Sequence, residues 1–336
     1  MKKYSRKDKE AIEDLTLSIE ASKSKLSKGR IFPEEEDAYR TCFARDRDRI
    51  IHAKSFRRLK HKTQVFFAPD GDHYRTRLTH TLEVMQIASS VAGIMGLNRD
   101  LTEAIALGHD LGHTPFGHSG ERVLNSLYPE GFRHNEQSLR VVDCLETRQN
   151  KPYSGLNLSY EVRDGILNHT GDNKASSLEG QLIYFSDRIA YLNHDFDDAR
   201  RAGILKEEDL PRDIRLSLGQ TAGKRIDCMV NDLVEWSYKN KTLGFSDEVR
   251  EAVDALREFM FKYVYLDSHA KKEGGRVKKL IVLLYEYFLE HPEELPEDYR
   301  NENNHLGVKD YIAGMTDGYA VNCVQRIFLP KFWQER

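Results

Sequence analysis

Apolar residues along this chain recur at three- and four-residue spacing far more often than they alternate, which predicts a predominantly α-helical protein. From Thr79 onward, His80 shares a helix face with Val84, Ile87, Val91 and Ile94, so an imidazole points toward the core. A second helix follows, with Asp100 and Glu103 as its capping box and a stripe of Leu101, Ile105 and Gly108 leading into His109-Asp110. A third starts near Ser176 with Glu179 three residues on. It puts Asp187, Tyr191 and Asp195 on one face amid Leu182, Ile183, Ile189 and Leu192. Residues 6–28, rich in lysine and glutamate, read as a helix with a solvated face. Further amphipathic helices run around Ile226–Trp236 and Val277–Phe288, punctuated by Pro292 and Pro296. Strand signals are sparse: Thr63–Ala68, a turn at Pro69–Asp72 and His73–Arg77 predict one small β-hairpin. The expected fold is all-α with that hairpin. It divides into an N-terminal helical segment (1–39), a catalytic domain (40–200) and a C-terminal helical region (201–336) packed on the catalytic domain.

Composition narrows the class. The 336 residues, 39% hydrophobic and 31% charged, suit a globular chain that buries a substantial core. No run of about 18 apolar residues occurs, and Met1–Ser5 lead into a charged stretch, so no membrane partner and a cytoplasmic location are expected. Cys42, Cys144, Cys228 and Cys323 lie far apart, which argues against a disulfide framework and against a thiolate metal cluster. A formal net charge of −3 excludes a wholly basic nucleic-acid-coating protein but is compatible with a local basic pocket. Basic residues are spread rather than gathered, so nucleic-acid binding is not indicated.

The unusual chemistry sits in the middle, where eight of the thirteen histidines fall between His52 and His134. A lone histidine is more often structural than a ligand; the combination is what counts. A buried aspartate costs several kcal/mol unless it is paired, and a divalent cation is an efficient partner. His80, His109, Asp110 and Asp187 together suit a divalent ion (Mn, Fe, Mg, Zn or Co, the set not fixing which), and the missing thiolates argue against structural zinc. Beyond them, His109 to Glu121 holds three histidines and a glutamate around Pro115. His118 and Glu121, three apart, can face the same way, and an imidazole braced by a carboxylate suits acid–base work.

The order H…HD…D at 80, 109–110 and 187 is similar to the metal site of HD phosphohydrolases. The flanking motifs are more specific: Arg45 to His52 (RDRDRIIH), Phe56 to Leu59 (FRRL), Lys62 to Val65 (KTQV), Arg77 to His80 (RLTH), His109 to Glu121 (HDLGHTPFGHSGE), His134 to Ser138 (HNEQS) and Asp187 to Tyr191 (DRIAY). This succession, over roughly residues 40–200, resembles the dGTP triphosphohydrolase family. The resemblance implies an HD-domain helical architecture and metal-dependent hydrolysis of a deoxynucleoside triphosphate to deoxynucleoside and tripolyphosphate. It implies that His118 and Glu121 serve the chemistry at the α-phosphorus, with His113 and His134 on the phosphate side. Lys62, Arg77 and Arg188 are then candidate phosphate binders, while Arg57 and Arg58 serve a surface or interface equally well. Gln64 is expected near the deoxyribose, and Tyr191 and Asp195 on the sugar, although helix register equally permits Tyr191 to be core. A symmetric homo-oligomer is also expected. Two other readings stay open: an HD-type nucleotidase or phosphodiesterase, and a nucleotide-sensing protein without turnover.

Overall fold

The computed structural model describes residues 1–64, 74–147, 152–265, 268–300 and 303–330, with side chains from 268 to 272 left aside. Helices α1 (Arg6–Thr16), α2 (Cys42–Ile51) and α3 (Lys54–Arg58) precede a helical hairpin of α4 (Arg77–Met95) and α5 (Arg99–Gly108). Next come α6 (Gly117–Leu127), α7 (His134–Arg140), α8 (Tyr160–Leu167) and the long α9 (Leu178–Arg201). The remainder is α10 (Arg212–Leu218), α11 (Ala222–Asn240), α12 (Asp247–Met260), α13 (Ser268–Glu290), α14 (Asn304–Gly314) and α15 (Asp317–Phe328). The fold is all-α. Among the described residues there is no sheet, only isolated antiparallel bridges such as Thr63 with Thr76. That bridge lies at the base of the expected hairpin, whose residues 65–73 fall outside the described residues.

Side-chain caps fix the central helices, and three of them depart from expectation. Thr76 accepts from the Thr79 amide at 3.4 Å, so α4 begins at Arg77, two residues before the expected start. Its end at Gly96, with φ of 66°, uses the left-handed conformation that glycine tolerates, and Ile94 beyond the core is 64% exposed. Asn98, not Asp100, caps α5, accepting from the Leu101 amide at 3.2 Å; Asp100 and Glu103 instead hold Arg47 at 2.6 and 2.5 Å. Ser177 caps α9, and Glu179 turns away to accept from the backbone amides of Ser22 and Asn98, both at 2.9 Å. The N-terminal helix stops at Thr16 rather than continuing to residue 28. Ser18, Ser22 and Ser24 donate to the Met95 carbonyl, Glu179 and Glu13, and these tertiary partners outcompete helical continuation.

Two apolar clusters result. The larger gathers α4, α5, α8, α9 and the helices through Val264, with Val84, Leu101, Ile105, Ile166, Ile183 and Leu192 wholly buried. Each such side chain contributes about 1.5–3 kcal/mol, so the helices that carry the expected ligands are fixed by core packing before any site forms. The smaller cluster joins Phe116, Val123 and Leu124 of the α6 region to α13, α14 and α15. Polar ties reinforce that junction: Lys309 Nζ donates to Gln137 at 2.6 Å and Arg140 donates to Asp310 at 2.7 Å.

Close approach of α8 to α5 depends on absent side chains. A Cβ on Gly165 would lie 2.5 Å from Ile105, and one on Gly108 would lie 2.5 Å from Ile166. The two glycines face isoleucines of the opposite helix, which draws the C-terminal end of α8 against the His109-Asp110 turn.

Candidate metal centre and active site

α4, α5 and α9 pack on one another and deliver the four expected ligands to one place. His80 Nε2 lies 3.0 Å from Asp187 Oδ1, and His109 Nε2 lies 3.5 Å from Asp110 Oδ1 and 4.0 Å from Asp187 Oδ1. Ligand atoms of His80, His109 and Asp110 all fall within 4.8 Å of one another, with these three residues buried and Asp187 half-buried. Hydrogen bonding settles the form of His109. Its Nδ1 is 2.6 Å from the Ala106 carbonyl, which can only accept, so Nδ1 carries the hydrogen and Nε2 presents a lone pair. That buried Nε2 has no hydrogen-bond partner among the described residues, and an orphaned lone pair beside two carboxylates is what a cation satisfies.

The carboxylates are ionised in spite of burial. Burial pushes Asp110 up, but the positive charge around it, with the Arg77 guanidinium in direct contact, outweighs burial and holds the carboxyl well below its ordinary range. Burial likewise opposes ionisation of Asp187, and the hydrogen bond from His80 overcomes it. The donor set of two imidazoles and two carboxylates fits a divalent ion, which His80, His109, Asp110 and Asp187 would hold.

Arg77 flanks this centre. Its Nη1 donates to Asp110 Oδ2 at 2.6 Å, while Nε and Nη2 of this buried residue have no hydrogen-bond partner among the described residues. Two buried guanidinium arms without acceptors call for an anion.

A second constellation rises from the turn between α5 and α6. Phe116 holds φ of 64° and Gly117 φ of 57°, a left-handed pair that swings the chain into α6. Asp317, from the start of α15, steadies this turn by accepting from the Phe116 amide at 2.9 Å. His118 then stands on the first turn of α6, its side chain 61% exposed, with Nδ1 3.4 Å from Glu121 Oε2. The other oxygen of Glu121 accepts from His134 twice, from the backbone amide and from Nδ1, both at 2.9 Å. Burial raises Glu121, yet the hydrogen bonds from His118 and His134 hold it well below the usual carboxylate range. His113 stacks on His134 at 4.3 Å and lies 3.7 Å from Asp110 Oδ1; burial and Arg77 keep it well below its ordinary value, hence neutral.

A scan of protein families matches an HD domain to residues 77–192 and a phosphohydrolase-associated domain to residues 243–326. A deoxyguanosinetriphosphate triphosphohydrolase-like protein of Caldanaerobacter subterraneus subsp. tengcongensis is 54% identical over 97% of this chain and 96% of its own length. The chain belongs to the deoxyguanosinetriphosphate triphosphohydrolase-like family. Proteins of the same description from Clostridium tetani and Clostridium perfringens strain 13 are 48% and 49% identical, each over 97% of this chain and 97% and 98% of theirs. Membership makes this chain an HD hydrolase. Among the described residues no helix is long and apolar enough to cross a membrane.

In this family member, not every expected substrate contact gathers at the centre. Lys62 is buried, its ammonium donating to the carbonyls of His113 and Ala313, and burial together with Arg58 pushes it well below its ordinary value. Gln64 is buried, its Oε1 lacking a partner among the described residues. Arg188 extends to Asp254 at 3.0 Å and lies near the Tyr184 hydroxyl at 3.4 Å. Tyr191 is partly buried against the main core, its hydroxyl pushed up to about 12 chiefly by burial. Asp195 is buried, with Oδ1 unpartnered among the described residues and Oδ2 accepting from Tyr265 at 2.6 Å; burial raises it to about 7.

Two site neighbours escaped the sequence reading. Tyr265 lies in a single π-turn after α12, a local form that periodicity does not signal. His169 follows α8 and is about 1% exposed, with its ring 5.0 Å from that of His109. The sequence Asn168-His169-Thr170 offers no ligand spacing; only the glycine-mediated approach of α8 to α5 brings it in.

Proposed function

We propose that this chain hydrolyses deoxynucleoside triphosphates, dGTP-like in chemistry, to deoxynucleoside and intact tripolyphosphate. The observation that carries the reading is Arg77: a buried guanidinium tied to Asp110 by one arm, with two arms lacking acceptors, beside a cluster of metal-donor side chains. A phosphoryl oxygen is the ligand that satisfies those arms and the ion together. The family name points the same way, since the relatives are described by action on deoxyguanosine triphosphate.

When bound, a divalent ion at His80, His109, Asp110 and Asp187 supplies charge for the α-phosphate and lowers the pKa of a water. The chain's own groups do the rest. Arg77 anchors and orients the phosphate, and neutral His113 donates no extra charge but lines that side. Glu121 stays ionised and holds hydrogen at the Nδ1 atoms of His118 and His134, so each Nε2 is left for other partners. His118, exposed on α6, is placed to exchange a proton at Nε2 with the attacking water or the departing 5′-oxygen. On the sugar side, Asp195 Oδ1 and Gln64 Oε1, each without a partner among the described residues, accept hydroxyl hydrogens, with Tyr191 one turn from Asp195 on the α9 face. Arg188 serves the distal phosphates if it leaves its exposed partner Asp254.

The test is incubation of purified, Mn²⁺-loaded protein with each of the four dNTPs, singly and mixed, with products resolved by chromatography. Deoxynucleoside plus tripolyphosphate is expected. Release of inorganic phosphate, or a linear monophosphate from a cyclic substrate only, would reassign the enzyme to nucleotidase or phosphodiesterase chemistry. Hydrolysis of GTP at a rate comparable to dGTP would remove the sugar assignments.

A further inference from the structure

A carboxylate from the far end of the chain stands behind the turn that carries His118. Asp317 opens α15, in the region that matches the phosphohydrolase-associated domain, and it is buried. Its Oδ1 accepts from the Phe116 amide at 2.9 Å, and its Oδ2 accepts from the Thr63 amide at 3.0 Å and from the Thr63 hydroxyl. An acidic residue in the first turn of a helix ordinarily serves that helix. Here the cap is Thr316, which accepts from the Tyr319 amide at 3.3 Å, while both Asp317 oxygens are engaged by other segments.

Those two segments lead to two ends of the proposed chemistry. Thr63 pairs with Thr76, and the Arg77 amide donates to the Lys62 carbonyl at 3.0 Å, so the backbone around Thr63 is fixed to the start of α4, where Arg77 stands. Phe116 begins the left-handed pair that turns the chain into α6, and His118 lies two residues on. A residue other than glycine keeps a positive φ only where its surroundings over-determine it. The Phe116 side chain is held by the same region, buried in the cluster that α13, α14 and α15 complete. Lys62 adds a parallel tie, its ammonium donating to the His113 carbonyl and, at 2.8 Å, to that of Ala313.

We propose that Asp317 is a positioning residue for the hydrolysis, fixing where His118 stands relative to Arg77. The role rests on the reaction proposed above, in which Arg77 orients the phosphate and His118 moves the proton. One carboxylate bridges the two backbones, so the gap between the acid–base group and the anchored phosphate is set from α15 rather than by α6 itself. His118 needs such a brace: its side chain is 61% exposed and its contact to Glu121 is long, at 3.4 Å, so its place follows the backbone that carries it. A misplacement of about 1 Å in a reacting group costs on the order of 100-fold in rate. The C-terminal region thereby serves the reaction through a residue that touches no reacting atom.

The experiment is steady-state kinetics of full-length, Mn²⁺-loaded wild type, Asp317→Asn, His118→Ala and the double variant, with the dNTP that wild type hydrolyses fastest and with metal content measured in each. Asp317→Asn keeps the side chain's size but sets an NH2 group against an N–H or O–H donor. It is expected to lower kcat by about 10- to 100-fold, with KM within about 2-fold of wild type and metal content unchanged. In the His118→Ala background the same change should alter kcat by less than about 2-fold, because the group it places is gone. An equal loss in both backgrounds would mark a purely structural tie and overturn the proposal. Thr316→Ala, which removes the α15 cap and leaves the carboxylate, should lower the melting temperature yet keep kcat within about 2-fold of wild type. A loss of turnover there equal to that of Asp317→Asn would also overturn it. Should Asp317→Asn fail to fold, Thr63→Val removes one of the three donors and is expected to lower kcat by at least about 3-fold, again only where His118 is present. Wild-type kcat in every foldable variant would overturn the positioning role alone, whereas no product from wild type itself would overturn the proposed reaction and this role with it.

Discussion

His80, His109 and Asp110 are no more than 4% exposed, His80 on α4 and the other two at the C-terminal end of α5, both helices packed on the main core, whereas the side chain of His118 is 61% exposed on the first turn of α6. The proposed ion end of the site is thus built as an extension of the hydrophobic core, and the proposed acid–base end as an exposed attachment steered by one carboxylate. Burial at the ion end removes competing water and fixes donor geometry. Exposure at the other end lets His118 adjust to a substrate, which its long 3.4 Å contact to Glu121 requires.

Breaking the ion end should have the largest effect. Asp110→Ala or Asp187→Ala should abolish bound metal, measured by elemental analysis, and lower kcat/KM by at least about 1,000-fold. Full activity with equal metal content in either variant would refute the ligand assignment. His118→Ala should separate the two ends: metal content unchanged, and turnover down by about 10²–10⁴-fold. Loss of metal in this variant would show that the ends are not independent.

A smaller effect sharpens the comparison through pH. Burial raises Asp195 to about 7, so the folded metal-free chain keeps a proton that the unfolded chain releases near its ordinary value. The folded state therefore binds more protons between about pH 4 and 7. Its stability from this group falls as pH rises through that window and is flat above it. Asp195→Asn keeps an acceptor for Tyr265 and removes the slope. Denaturant titrations of metal-free protein at pH 5 and pH 8 should show the variant gaining on wild type by up to a few kcal/mol at the higher pH. An equal difference at both values would contradict the assignment. The smallest effect is expected at Arg188, whose partner Asp254 is 51% exposed. Arg188→Ala should change stability by less than about 0.5 kcal/mol while raising KM for the triphosphate. A change confined to stability would make Arg188 structural.

Much of the ion end was legible in the chain because His80 and Asp187 sit on long helices, where a period of 3.6 residues assigns faces locally, and His109-Asp110 close the buried stripe of α5. His80 with Val84, Ile87 and Val91, and Asp187 with Tyr191 and Asp195, came from that rule alone. The helix boundaries were less legible. Asp100 and Glu103 have the spacing of a cap yet serve Arg47, and Glu179 serves Ser22 and Asn98, because a carboxylate with a tertiary donor in reach does not return to its own helix end.

The sequence by itself determined the all-helical class, the donor types and the faces they occupy, since these follow from residue chemistry and spacing within one helix. Tertiary structure alone decided which distant groups converge. It buried Lys62 on two carbonyls, set Tyr265 on Asp195, and pressed His169 against His109 and His134. Those meetings depend on how closely two helices pack, as at Gly108 and Gly165, and interhelix distance has no periodic signature along a chain.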